Sequence, residues 1–224
     1  MKDALQRVAV LAVHVIAAVF PMLLGWGLTD WRGFLSQPAR AGLLAAVLAG
    51  AGLLLVLKID LDPLRIGAGA TPGQGKQLLL LLLASIGLLL WLPWADRAGV
   101  GVLDSASVRW LGLGMCIAGG AIRVLALRRL GHQFSAYVTL QPEHRLVEEG
   151  IYAWIRHPLY LSLLFAGPGV ALLFRSELAW PILLVALLFV ANRIRSEETL
   201  LASHFGVAFS RYRARTWALL PRIY

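Results

Sequence analysis

The chain has 224 residues and a formal net charge of +9, and 59% of it is hydrophobic against only 15% charged, where soluble domains carry about a quarter. That composition excludes an ordinary soluble domain. Six apolar stretches of about 16 to 21 residues match the length a helix needs to cross a hydrocarbon core of roughly 30 Å.

The first predicted span covers 8–28, behind Lys2 and Arg7. Its length and the spans that follow it distinguish it from a signal peptide. It holds His14, expected as a buried hydrogen-bonding residue, although a polar group inside a membrane keeps a functional role open. The second span covers 41–57 and the third 78–94, with a Gly/Pro-containing linker at 62–75 between them. A fourth covers 108–127 and contains Cys116, the only cysteine, which excludes an intramolecular disulfide and a thiolate zinc site and reads as a small packing residue. After a polar stretch, segments 159–174 and 178–194 are joined by only Arg175-Ser176-Glu177, predicting a tight helical hairpin. Gly167-Pro168-Gly169 interrupts the fifth segment, so a kink or partial immersion is expected there.

The basic residues test this topology, since cytoplasmic loops are enriched in Lys and Arg. With six spans, 16 of the 21 fall on the N-terminal side of the membrane and five, Arg32, Arg40, Arg97, Arg109 and Arg175, on the other. Both termini are therefore expected to be cytoplasmic, with the two most basic regions, before and after the hairpin, on that same face. Such residues meet anionic headgroups as readily as they orient the chain, and no motif supports nucleic-acid binding.

Four of the five histidines, His132, His144, His157 and His204, lie toward the C-terminus. Their spacings fit neither a helical metal face nor a zinc finger, so no metal is expected. Pro158 suits a first helical turn, which places Arg156 and His157 at the N-terminal end of the fifth segment. A helix N-terminus beside an arginine suits a carboxylate, such as that of an amino-acid-like cofactor, and equally a lipid phosphate. Beyond the sixth segment, a continuing helix would put Arg193 and Glu197 four apart on one face and Arg195 three before Glu198. This is either a solvated charged end or, because the hairpin returns it to the face of Arg156 and His157, the acidic wall of a pocket. A cationic anchor with hydroxyl-binding carboxylates suits S-adenosylmethionine, which carries a methionyl carboxylate and two ribose hydroxyls.

From about residue 130 to 221 the order of motifs resembles the isoprenylcysteine carboxyl methyltransferase family and its bacterial relatives. It includes His-x-Leu-Val at 144–147, Gly-x-Tyr-x-x-x-Arg-His-Pro-x-Tyr at 150–160, Glu197-Glu198, and Phe205-Gly206 with Tyr212 and Leu220-Pro221. Phospholipid N-methyltransferases and some sterol-reductase-like proteins share parts of this pattern. The resemblance implies an all-α polytopic membrane protein, with N-terminal transmembrane helices over 1–129 and a cofactor-binding and catalytic region over 130–224. It implies S-adenosylmethionine as cofactor, with His144, Leu146, Val147, Tyr152, His157, Pro158 and Tyr160 lining its pocket and Arg156 in support. Glu197, and with it Glu198, would contact the cofactor. Arg193 would face the acceptor's carboxylate or polar head, and Arg193 and His157 are the expected catalytic residues.

The implied reaction is in-line displacement of a methyl group from a sulfonium, driven by positioning and water exclusion. A carboxylate acceptor needs no general base; an amine or thiol would, and His157 or Glu198 could then serve. The expected partners are a lipophilic or lipidated acceptor entering laterally and the membrane lipids, with no nucleic acid and no obligate protein partner. Short loops point to a prokaryotic inner membrane. Three alternatives stay open: a phospholipid amine N-methyltransferase, a nicotinamide-dependent sterol or isoprenoid reductase, and a transporter or scaffold, the last disfavoured by the absence of paired interrupted helices.

Overall fold

The computed structural model describes residues 2–59, 73–141 and 144–220. The 62–75 linker lies almost wholly outside the described residues, as does Pro221 of the Leu220-Pro221 pair. Among the described residues eight α-helices follow in order: α1 (Lys2–Trp26), α2 (Trp31–Leu35), α3 (Pro38–Val56), α4 (Gln74–Ala98), α5 (Val108–Leu130), α6 (Pro158–Leu173), α7 (Ala179–Phe205) and α8 (Val207–Arg215). All six predicted segments are helical. Among the described residues five helices are long and apolar enough to cross a membrane, and α6, with 16 residues, is a shorter apolar helix. Leu80, Trp180, Val185 and Leu188 are each more than half exposed, a surface that hydrocarbon accepts and water does not. The chain is an integral membrane protein.

Local chemistry sets the helix ends. The Asp30 carboxylate accepts from the Gly33 amide at 3.1 Å to start α2, and Gln37 caps α3 by accepting from the Ala39 amide at 2.6 Å, with Pro38 in the first turn. Gly99, at φ 71°, closes α4. Between α6 and α7 the amides of Arg175 and Ser176 donate to the carbonyls of Leu172 and Ala171 at 2.8 and 2.9 Å, a Schellman closure with Arg175 at φ 54°. The 27 residues of α7 span roughly 40 Å at 1.5 Å per residue, more than the hydrocarbon core, so its polar last turns continue beyond the apolar segment.

Small residues join α5 to α6. A methyl group on Gly119 would sit 2.9 Å from the Ser162 carbonyl oxygen, and one on Gly169 would sit 3.0 Å from Cys116 Sγ. Without a hydrophobic drive between helices in lipid, such close backbone approach is what lets dispersion hold them together. Gly167-Pro168-Gly169 therefore does not break the fifth segment: α6 is continuous, Pro168 is buried, and Gly169 makes the contact. His14 is exposed on α1 rather than buried, with its Nδ1 2.7 Å from the Val10 carbonyl oxygen of its own helix. One apolar core, with Phe34, Leu92, Leu113, Leu173 and Phe174, fills the end of the bundle where α3 and α5 begin. Another, with Leu161, Val190, Ile194 and Leu219, lies toward the end where α6 begins.

Candidate functional site

Gly131, at φ 56°, ends α5, and the described residues between there and Pro158, 131–141 and 144–157, form irregular backbone and two short 3₁₀ turns. This connection covers a cavity of about 310 Å³ between α4, α5, α6 and α7, at the small end of the range for ligand pockets. Two pins hold the cover. Gln74, at the start of α4, accepts from the Val138 amide at 2.9 Å, and Arg193 of α7 donates to the Ala136 carbonyl at 2.5 Å. On the other side, the Arg156 and His157 amides donate to the carbonyls of Trp217 and Ala218 at 2.8 and 3.1 Å. Tyr212 of α8 donates its hydroxyl to the Tyr152 carbonyl at 2.8 Å.

The two adjacent carboxylates divide their tasks. Glu197 lines the cavity, its Oε2 accepting the Tyr160 hydroxyl at 2.7 Å and standing 3.8 Å from His157 Nδ1. Glu198 does not line it. Its Oε1 accepts from Arg156 Nε at 2.9 Å and lies 3.2 Å from His157 Nε2, while its Oε2 is 3.4 Å from Arg213 Nε. Arg156 also donates to the Thr216 and Arg213 carbonyls, so its guanidinium is already committed. His157 is 4% exposed and stacks on Tyr160 with ring centroids 5.6 Å apart. Neither Arg193–Glu197 nor Arg195–Glu198 forms an ion pair among the described residues.

His144 lines the cavity, its ring 6.0 Å from that of Phe205. Burial holds its pKa below the ordinary imidazole value, opposed by the nearby Glu197 carboxylate and assisted by His204 and His132. Burial pushes the phenols of Tyr152 and Tyr212 up.

Three guanidiniums line the cavity without an ion-pair partner among the described residues: Arg145, which is exposed, and the less exposed Arg123 and Arg193. Arg193 Nε is buried and takes no hydrogen bond. Arg123, on α5, lies 5.7 Å from the centroid of the Phe134 ring. Beyond them the wall turns apolar, with Leu78 and Leu81 of α4, Leu163 of α6 and Phe189 of α7.

Of the residues expected from the sequence, His144, Leu146, Val147, Tyr152, Arg156, His157, Pro158, Tyr160, Arg193 and Glu197 all line this one cavity, and Glu198 stands behind it. Sequence reasoning missed Arg123 and the α4 leucines. An arginine inside an apolar span is itself a signal, because intramembrane charge is costly and faces a cavity or partner, and Arg123 falls within the predicted fourth span. Leu78 and Leu81 carry no such mark.

The structure is that of a polytopic helical membrane protein whose cavity joins a polar, histidine-carboxylate end to an apolar one. Residues 110–203 match the model of the isoprenylcysteine carboxyl methyltransferase (ICMT) family. The chain is 34% identical over 116 residues to the protein-S-isoprenylcysteine O-methyltransferase of Saccharomyces cerevisiae, covering 50% of this chain and 48% of that one. It is 32% identical over 122 residues to that of Tribolium castaneum, covering 52% and 43%. The chain thus matches about half the length of these curated relatives or less. Among solved structures, the eukaryotic intramembrane Ras methyltransferase ICMT superposes with a TM-score of 0.56 at 20% identity, over 97% of this chain and 75% of that one. That likeness establishes the fold.

Proposed function

We propose that this chain is a membrane methyltransferase that esterifies the carboxylate of a lipophilic, isoprenylcysteine-type acceptor, with S-adenosylmethionine as methyl donor. The observation that carries the reading is the two guanidiniums shielded from solvent and without an ion pair among the described residues, Arg123 and Arg193, placed between a polar cavity end and an apolar one. Two cations without counter-ions at a low-dielectric site attract a carboxylate and repel an ammonium. This favours carboxyl methylation over methylation of a phospholipid amine.

The residues present suit the donor. Glu197 accepts hydrogen bonds from hydroxyls, His144 and Tyr160 add polar contacts, and Leu146, Val147, Leu200 and Leu201 supply apolar surface for a base. When bound, the donor supplies an electrophilic methyl group; its transfer to a carboxylate oxygen forms a methyl ester and leaves the bonding pair on sulfur as a thioether. Arg193 and Arg123 orient the acceptor carboxylate, which is already ionised and requires no base. His157, tied through Nε2 to Glu198, is fixed as part of the wall. The 131–157 connection excludes water. The apolar tail is placed against Leu78, Leu81, Leu163 and Phe189, entering from the bilayer, while the donor enters from the face that the distribution of basic residues makes cytoplasmic.

Calorimetric titration of S-adenosylmethionine into the detergent-purified chain tests the donor, and incubation with a labelled donor and either a short isoprenylcysteine or phosphatidylethanolamine tests the acceptor. Base-labile label on the isoprenylcysteine is expected. A folded chain that binds no donor overturns the reading, and label confined to phosphatidylethanolamine replaces the acceptor class.

A further inference from the structure

The bundle end away from the cavity holds a second charged cluster. Asp96, near the end of α4 with its side chain 1% exposed, receives three arginines. Arg109 uses both terminal nitrogens, each at 2.7 Å, Arg40 approaches at 3.3 Å, and Arg175 donates through Nε at 3.2 Å. Arg109 also donates to the Leu173 carbonyl at 2.9 Å and Arg40 to that of Gly33 at 3.1 Å. The other nearby carboxylate, Asp30, is 3.4 Å from Arg97. Four guanidiniums therefore meet two carboxylates, and Glu177, exposed in the same turn, pairs with none of them among the described residues. Three helices start here, α3, α5 and α7, and three end here, α1, α4 and α6, so their dipoles offset and the excess rests on the side chains.

An excess of positive charge in a poorly solvated place is costly unless an anion joins it. Stacking of Arg40 on Trp26, at 4.0 Å, offsets part of the cost, but Arg40 Nε is buried with no hydrogen-bond partner. Arg175 is the way in. Its side chain is 25% exposed, and among the described residues only its Nε is engaged, leaving both terminal nitrogens open. Its backbone points the same way: φ is 54° at a helix-closing position where glycine or asparagine is the usual occupant. An arginine there carries backbone strain that glycine would not, so the position is held for its guanidinium.

We propose that the open fork of Arg175, backed by Arg40 and Arg109, binds the phosphate of an anionic phospholipid in the leaflet opposite the cavity. The proposal is independent of the methyl-transfer reading, and its readout is lipid binding rather than activity. Arg175→Gly is the informative variant, since it relieves the backbone while deleting the fork; Arg175→Asn, the other residue at ease with this φ, serves if glycine loosens the turn. The full chain in detergent is titrated with phosphatidylglycerol, phosphatidylcholine of the same acyl chains, or inorganic phosphate, following the unfolding temperature and the lipid retained in native mass spectrometry. Phosphatidylglycerol is expected to raise the wild-type unfolding temperature more than phosphatidylcholine does, and its retention is expected to fall about tenfold in the variants, the loss of one charge-assisted fork. Equal response to the two lipids, or an undiminished phosphatidylglycerol effect in both variants, overturns the proposal. An equal effect of inorganic phosphate that the variants lose overturns the lipid as the source of the anion.

Discussion

Glu197 and Glu198 are adjacent, yet only one opens into the cavity. Replacing Glu197 with Gln removes the charged acceptor beside Tyr160 and is expected to weaken S-adenosylmethionine binding about tenfold or more by calorimetry. Glu198→Gln acts through Arg156 and His157, whose side chains it holds, and is expected to disturb the polar wall as a whole, lowering the unfolding temperature as well as the affinity. Arg123→Ala should raise the acceptor KM by about tenfold or more while leaving donor affinity in place, whereas Arg193→Ala also removes the bond to the Ala136 carbonyl that holds the cover and should weaken donor and acceptor together. His144 gives a pH signature. Its folded pKa is depressed by burial, so below about 6.5 the unfolded chain binds more protons than the folded one. Its contribution to stability is complete above that value and is lost as pH falls through the folded pKa. The unfolding temperature of the wild type should therefore drop more steeply below about pH 6.5 than that of His144→Gln.

At the scale of helices, α5 is the element on which the site depends. One end carries Arg109 into the Asp96 cluster, its middle packs on α6 through Gly112, Cys116 and Gly119, and Arg123 faces the cavity. Gly119→Leu would drive a side chain into the Ser162 carbonyl, an overpacking cost of about 1–3 kcal/mol or more where the obstacle is backbone. Thermal unfolding in detergent measures it, and the same shift moves Arg123, so donor affinity should survive better than acceptor turnover. That α5 and α6 pack closely is not visible in their hydropathy, which is high all round; the spacing of 112, 116 and 119 is the only trace of it in the sequence.

For the molecule as a whole, Asp96 ties α3, α4, α5 and the α6–α7 turn at one end while the 131–157 connection closes the other. Asp96→Asn leaves buried guanidiniums without their counter-ion, and breaking such a cluster costs roughly 3–5 kcal/mol. The unfolding temperature should fall sharply even though the cavity is at the far end. These pairings account for four of the five basic residues assigned to the minority side of the membrane, all but Arg32. Arg40, Arg109 and Arg175 are paired to Asp96 and Arg97 to Asp30, so they are committed to the fold rather than free to set orientation.

The sequence by itself determined what depends on neighbours along the chain. Mean apolarity over some twenty residues decides that a segment is a membrane helix, Pro158 marks where α6 begins, and the spacing from 144 to 160 and at 197 gathers most of the cavity's polar wall. The tertiary structure decided what depends on how helices are turned against one another. Glu197 and Glu198 differ by about 100° around α7, and only packing chooses which of them sees the cavity. Arg123, Leu78 and Phe189 come from three helices that a linear pattern cannot rotate to a common centre, and Asp96 meets Arg40 and Arg175 across 56 and 79 residues. Those encounters follow from close helix packing through small residues, a property of surfaces rather than of any one segment.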